Sequence, residues 1–397
     1  MSMYPFSKDQ LLPQEEKLEI IRDKSALFIG IPKETSYQER RICLTPDAVL
    51  QLTSHGHRVM LEAGAGAGSH YTDAEYLSAG AEIERDTDKV LQCPILLKVE
   101  PLTMAELDKV SPHAIVISAL QIKTRKKEYF EALSRKKVTA LAFEYIRDDD
   151  GSYPAVKMLS ELAGMASVHT AAELMVHPEF GKGLLFGNIT GVSPTEVVII
   201  GAGTVAEFAA RTALAMGAGV KVFDNSLTKL RRLQNRLNQR IFTSTIQPKS
   251  LLKALMRCDV AIGAMKGKDR CPVIVTETMV EHMKKGAVIV DVSIDTGGCF
   301  ETSEITTHER PTFIKHGVIH YCVPNIPSRY AKTASLSISN ILSPILVHIA
   351  ETGGLEDAIR RDRGLKNGVY MYHGILTNKS IGEWFGLADS DINLIVF

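Results

Sequence analysis

Neither sign of charge prevails in this chain: 46 Lys and Arg stand against 46 Asp and Glu, for a formal net charge of zero. Without a basic excess there is no electrostatic case for nucleic acid or an anionic membrane as partner. Long apolar runs are also missing. No stretch approaches the roughly 18 residues a membrane helix needs. Residues 1–23 lack a signal-peptide core, because Lys8, Asp9, Glu15, Glu16 and Lys17 interrupt them. The six cysteines, at 43, 93, 258, 271, 299 and 322, have no CxxC spacing. Several fall inside apolar, strand-like runs, so buried free thiols and a reducing cytoplasm are expected. None of the 12 histidines shows paired ligand spacing with cysteines or carboxylates, so no metal site is expected. Internal repeats and low-complexity segments are absent. The 397 residues, 45% hydrophobic and 23% charged, describe a soluble globular protein of two or three domains.

The most informative stretch is 197–224. A β-branched run, 197–200, leads directly into Gly201-Ala-Gly203-Thr-Val-Ala206. Gly201 permits the tight turn, Gly203 leaves room for a pyrophosphate against the backbone, and the small Ala206 lets the following helix pack close to the sheet. That helix is expected over 208–216. A second apolar run, 220–223, ends in Asp224, placed to bind the adenosine ribose hydroxyls. Strand, turn, helix and acid fall in the order a dinucleotide site requires. Asp224 would repel a 2′-phosphate, which favours NAD over NADP, although Lys229, Arg231 and Arg232 lie close by.

Before this unit, short strands are expected at 27–30, 57–62, 95–101, 114–120 and 136–144, alternating with helices, as in a parallel sheet whose ligands bind off the strand carboxyl ends. Lys98, Gln121 and Glu144 are candidates by that position, each equally readable as a satisfied polar strand end. Arg40 and Arg41 precede a helix opened by Thr45-Pro46. They read either as a solvated pair or as one clamp for a small carboxylate. The glycines of 64–68 do not open a helix, since the next one starts only after Thr72-Asp73, so they make a turn and not a second dinucleotide fingerprint. A linking helix is expected over 159–175, with His169 packed or solvated. Further strands are expected at 258–263, 287–292 and 318–323, and a second linking helix over 334–349, with short helices from 353 to 397. Asp295, followed by Thr-Gly-Gly after a core strand, should face the nicotinamide end of the cofactor, whereas Asp291 has a structural partner. Asn325 binds nicotinamide or ribose, or serves only its turn.

Several stretches together resemble the alanine dehydrogenase family, which shares its fold with the NAD-binding component of nicotinamide nucleotide transhydrogenase. They are Gly30-Ile-Pro-Lys-Glu34, Arg41-Ile-Cys-Leu-Thr-Pro46, Glu62-Ala-Gly-Ala-Gly66 to Asp73, Ser160-Glu-Leu-Ala-Gly164, Gly201 to Asp224, Val290-Asp-Val-Ser-Ile-Asp295 to Gly298, Thr306-Thr-His308 and His320-Tyr-Cys-Val323. The resemblance implies an α/β subunit of two Rossmann-like domains, each a doubly wound parallel sheet, with a cleft between them. It implies an extension at 1–26, a discontinuous substrate domain (27–155 and 331–397) and an NAD-binding domain (156–330). It also implies a homo-oligomer, a hexamer or a dimer. The reaction would be the reversible oxidative deamination of L-alanine, or a related small amino acid, to the 2-oxo acid and ammonia. Arg41 matches the substrate-carboxylate arginine, and Asp295 the family aspartate. Ser160, Asp224, Lys229 and Asn325 match cofactor contacts.

Two positions depart from the family pattern. Its catalytic histidine is replaced in Leu120-Gln121-Ile122, and its Lys-Val-Lys-Glu-Pro stretch is shortened to Lys98-Val-Glu100-Pro101. Glutamine can hydrogen-bond a carbonyl or a water but does not exchange a proton near neutral pH. Lys98 either takes the place of the missing amine or leaves that contact empty. Two readings compete with the dehydrogenase: a catalytically weak NAD-binding sensor, and a transhydrogenase component, against which the short 145–154 segment counts.

Overall fold

The computed structural model describes residues 25–36, 38–267 and 270–396. The N-terminal extension lies outside the described residues except for Ser25 and Ala26. The strands are β1 (Phe28–Ile31), β2 (Arg58–Glu62), β3 (Glu82–Glu84), β4 (Ile95–Leu97), β5 (Ile115–Ser118), β6 (Thr139–Ala142), β7 (Glu196–Ile200), β8 (Gly219–Phe223), β9 (Phe242–Ser244), β10 (Val260–Gly263), β11 (Val288–Asp291), β12 (Thr312–Lys315), β13 (Val318–Tyr321), β14 (Val369–Tyr372) and β15 (Ile375–Leu376). They form two sheets with helices packed against them. The first has the order β15-β14-β6-β5-β4-β1-β2-β3, the second β12-β13-β11-β10-β7-β8-β9. The central strands are parallel and read as short continuous apolar runs because both faces are covered. Each Val or Ile buried there contributes roughly 1.5–3 kcal/mol.

The sheets are not purely parallel. β12 runs antiparallel to β13, and β14 runs antiparallel to both β6 and β15. The tail therefore holds strands as well as the short helices expected of it, and it extends the sheet begun by β1 to β6. All four residues of β14 are buried, so it lacks the alternation that marks a half-exposed strand. Two long helices join the sheets. The first begins at Pro154, whose missing N–H costs nothing at a helix start, and runs to Met175. The second is Ala331–Glu351. Contrary to the sequence expectation, the segment Ile326–Glu351 is long and apolar enough by composition to cross a membrane, with a hydropathy of 1.4. Its Ile338, Leu342 and Leu346 lie in the core beside Leu44, Val49 and Leu52, which accounts for its apolar character.

Each sheet reverses strand order once. In the first, β1 leads to β2 on one side and to β4 on the other; in the second, β7 separates β8 from β10. Loops leaving such a switch point diverge and open a crevice at the strand carboxyl ends.

Candidate functional site

The crevice of the first sheet is built by loops after β1, β4, β5 and β6, and two half-buried acids fix their shape. Glu34 accepts the N–H groups of Val99 (2.6 Å) and Glu100 (3.3 Å), pinning the loop after β4. Burial pushes its carboxyl up to about 8 against the pull of Lys98. Glu144 accepts the N–H groups of Leu120 (2.7 Å) and Gln121 (3.3 Å), pinning the loop after β5, and burial raises it as well. Gln121 leaves β5 in a left-handed conformation with φ of 49°.

Arg41 stands at the centre, 6% exposed. Its Nε and Nη2 donate to the two oxygens of Glu39, at 2.8 and 2.5 Å, in a bidentate fork. Glu100 Oε1 lies 3.8 Å from the same Nη2. Among the described residues, no hydrogen-bond partner is found for Nη1. The backbone carrying Arg41 is tied to the second linking helix and the turn before it: Ser328 Oγ accepts Arg40 N–H at 3.1 Å, Ser335 Oγ accepts Ile42 N–H at 2.9 Å, and Ser339 Oγ accepts Thr45 N–H at 3.1 Å. Burial disfavours the Glu39 carboxylate, but the Arg41 guanidinium outweighs it and holds the carboxyl near 2. Glu100 moves the other way, to about 7, because burial and the charge of Glu39 together exceed the pull of Arg41. Gln121 Nε2 donates to Glu100 Oε2 at 2.7 Å.

Lys98 does not join this group directly. Its side chain is wholly buried, and its amine donates to both oxygens of Glu106, at 2.8 and 2.9 Å, with Glu34 at 3.9 Å. Glu106 is also the third residue of the short helix Met104–Lys109, where it closes a capping box with Thr103. The shortened Lys98-Val-Glu100-Pro101 stretch thus leaves a carboxylate, not an amine, beside Gln121.

The second sheet contributes Asp295 and Asn325. Asp295 is solvent-exposed, follows β11 and accepts Asn325 N–H at 2.9 Å. Protein crowded around it raises its carboxyl. Asn325, left-handed at φ of 53°, donates through Nδ2 to Glu39 Oε2 at 2.9 Å. One connected series of contacts therefore runs from Asp295 through Asn325, Glu39, Arg41 and Glu100 to Gln121, joining the two sheets. Asp291 is structural, as expected: it accepts Cys299 N–H at 3.0 Å and Ser303 Oγ–H at 2.7 Å and is fully buried.

The dinucleotide segment forms the other wall. Gly201 has φ of 113°, and a Cβ there would lie 2.4 Å from Ala264 O. At Gly203 a Cβ would meet nothing within 4 Å, so open space faces the backbone where a pyrophosphate needs it. The helix Thr204–Ala215 starts at Gly203 with no side-chain cap, leaving its first N–H groups for an anion. Ala206 is fully buried. On the first linking helix, a Cβ at Gly164 would come within 2.4 Å of Val205 O. Ser160, half-buried, lies one turn earlier on the same face. Asp224 directly follows β8 and accepts Ala202 N–H at 2.8 Å and Ser226 N–H at 2.7 Å. It braces the glycine turn, with carboxylate lone pairs left for a ribose. Lys229 is exposed one helical turn beyond, as is His169 on its helix. All six cysteines are buried free thiols. These residues fit a dinucleotide; among the described residues no group of side chains fits a metal.

Sequence reasoning missed Glu39 and the role of Glu100. The Glu39-Arg40-Arg41 spacing was visible, but the fork depends on a loop that turns at Gln38, with φ of 66°.

The alanine dehydrogenase/PNT patterns match along most of the chain, the N-terminal domain over residues 30–163 and the C-terminal domain over 167–379. An alanine dehydrogenase of Mycolicibacterium smegmatis is 36% identical over 367 residues, covering 92% of this chain and 98% of the relative. Alanine dehydrogenase 2 of Staphylococcus aureus is 35% identical over 359 residues, covering 90% and 96%. Among solved structures, an L-alanine dehydrogenase superposes with a TM-score of 0.84 at 32% identity, covering 91% of this chain and 99% of that one. A transhydrogenase from Sinorhizobium meliloti shares the fold, with a TM-score of 0.75 at 24% identity over 89% and 99%.

Proposed function

The chain belongs to the alanine dehydrogenase/PNT family, and we propose that it catalyses the reversible, NAD-dependent oxidative deamination of L-alanine, or a closely similar small amino acid, to the 2-oxo acid and ammonia. The observation that carries this reading is the series of contacts from Asp295 to Gln121, which sets amine- and carboxylate-binding groups beside an open dinucleotide cradle. Arg41 binds the substrate carboxylate through its Nη1 edge while Glu39 fixes the guanidinium plane. Asp295 receives the amine, Gln121 orients the water, and Lys98 acts by positioning the β4 loop. A bound NAD would supply the acceptor for the hydride of the substrate Cα. Gly201, Gly203 and the helix start above Ala206 hold its pyrophosphate. Asp224 takes the adenosine ribose, with Lys229, Ser160 and Asn325 as further contacts. Residues 27–155 with 331–397 then form the substrate domain and 156–330 the NAD-binding domain of a cytoplasmic homo-oligomer, a hexamer or a dimer. The buried free thiols suit that compartment.

A second reading, an NAD-binding sensor of low turnover, draws on the internal pairing of both buried cations, Arg41 with Glu39 and Lys98 with Glu106. Purified protein incubated with NAD and a panel of amino acids, followed by NADH absorbance, separates the two. Alanine-dependent NADH formation is expected; NAD binding without turnover of any amino acid would favour the sensor.

A further inference from the structure

Deamination needs a proton carrier at the reacting centre. After the substrate ammonium has lost one proton to solvent and the hydride has left Cα with its bonding pair, water must add to the imino carbon and give up a proton, and the departing nitrogen must gain one. Gln121 faces this task with an amide, which cannot carry a proton near neutral pH. The group it donates to is Glu100, at 2.7 Å, and Glu100 Oε1 lies 3.8 Å from the Arg41 guanidinium that holds the substrate in the proposed reading. We propose that Glu100 is the acid/base residue of this site, with Gln121 holding its carboxylate in place, an inference that rests on the dehydrogenase reading above.

The step balances as follows. Glu100 carboxylate accepts a proton from water as the water oxygen bonds to the imino carbon and the C=N pair moves to nitrogen. Glu100 then returns that proton to nitrogen and, ionised again, accepts the remaining hydroxyl proton as C=O forms and the C–N bond breaks with its pair leaving on nitrogen; that proton passes from Glu100 to solvent. Ammonia leaves, and the only oxidation is the earlier hydride loss to NAD.

Two carboxylates beside one arginine are suited to divided roles. Glu39 takes both forked hydrogen bonds and stays ionised near neutral pH. Glu100 is raised to about 7 by burial and by Glu39, against Arg41 and the Gln121 amide, so both of its protonation states are populated at neutral pH. Lys98 is engaged by Glu106 and Glu144 by two backbone N–H groups, while Asp295 stands at the other end of the series of contacts, beyond Asn325 and Glu39. Glu100 keeps 11% of its side-chain surface open, which gives the reacting atoms access.

The test is Glu100→Gln in the full-length protein, assayed with alanine and NAD across pH. The expected result is a fall in kcat of roughly 10²–10⁴-fold, unchanged NAD affinity, and loss of the rise in wild-type rate centred on about pH 7. Glu100→Ala should regain part of its rate on addition of formate, which a structural role would not produce. A Glu100→Gln rate within about threefold of wild type, with the same pH profile, overturns the role of Glu100 and leaves the dehydrogenase reading standing. If Glu100→Gln does not fold, the wild type decides: a profile without an ionisation between about pH 6 and 8 overturns the proposal. Absence of wild-type turnover with every amino acid overturns the parent reading instead.

Discussion

The walls of the two crevices are built on opposite plans. Around Gly203 the second sheet offers backbone N–H groups, an uncapped helix start and empty space. Around Arg41 the first sheet offers side-chain charges, each already paired within the chain: Arg41 with Glu39, Lys98 with Glu106. A backbone cradle accepts an anion of the right shape with little rearrangement. A charged corner must share or exchange partners when a ligand arrives, so its selectivity depends on competition with its own carboxylates. In the proposed function, nucleotide recognition would be set by shape and substrate recognition by electrostatic competition. If the plans are independent, damage to one corner should leave the other intact.

The severest test of that independence is Lys98→Met. It removes the cation from a fully buried pair and leaves Glu106 and Glu34 facing each other across an apolar gap. Removing one partner of such a pair costs about 3–5 kcal/mol. Urea unfolding should register that loss, while NAD titration of the folded fraction stays unchanged. A parallel loss of NAD affinity would mean that the corners are coupled.

The reciprocal substitution is Gly203→Val. The backbone at Gly203, with φ of −86°, accepts a β-branched residue and its Cβ meets nothing within 4 Å, so the apo fold should lose only the N-cap preference for glycine over valine, about 1 kcal/mol. The added atoms fill the space for the pyrophosphate. NAD affinity should fall roughly 100-fold or more, about 2.7 kcal/mol. Undiminished binding by calorimetry would place the nucleotide elsewhere.

The contrast between the corners also explains what could be read from the sequence. The cradle is contiguous, 197–224, and each residue acts through local backbone geometry, so composition and order were sufficient. Asp295 was a candidate because it follows a core strand, and Arg41 was singled out from Arg40 only by the family resemblance. The pairing that decides their chemistry was not. Gln121 meets Glu100 across the neighbouring strands β4 and β5, and Asn325 meets Glu39 across two sheets, at sequence distances no local pattern encodes. The tail strands escaped for a different reason: β14 is four residues long and buried on both faces, and β15 has only two residues, too few for a period to show.

A smaller effect is expected from Arg41→Lys, which keeps the charge but loses the fork that meets Glu39. If the corner works by competition, the lysine will be held by Glu39 and the apparent KM for alanine should rise roughly tenfold with kcat little changed. Acid stability gives an independent readout. Glu39 is held near 2 in the folded protein, below its ordinary value of 4.5, so its contribution is complete above about pH 4.5 and is lost as pH falls towards 2. Without the fork its folded value moves back up, and the stability of Arg41→Lys should fall less steeply over that window. An identical slope would show that the fork is not what keeps Glu39 ionised.

The smallest change is expected from Gln121→His, and it bears most directly on how the charged corner works. The imidazole would stand at the carboxyl end of β5, beside Glu100, in a conformation with positive φ that histidine tolerates no worse than glutamine. If the corner lacked a proton carrier, adding one should raise alanine turnover by roughly 10²–10⁴-fold. If Glu100 already carries the proton, the histidine adds a second carrier to a filled role, and turnover should change by less than about tenfold. The pH profile should still gain a second ionisation, because the imidazole and Glu100 would titrate as an interacting pair. The double variant Glu100→Gln with Gln121→His completes the argument. With the carboxylate gone, the imidazole stands in its place and should recover part of the rate that Glu100→Gln loses. A single Gln121→His variant with a 100-fold gain would reverse the conclusion, marking the corner as one that lost its acid/base group without replacing it.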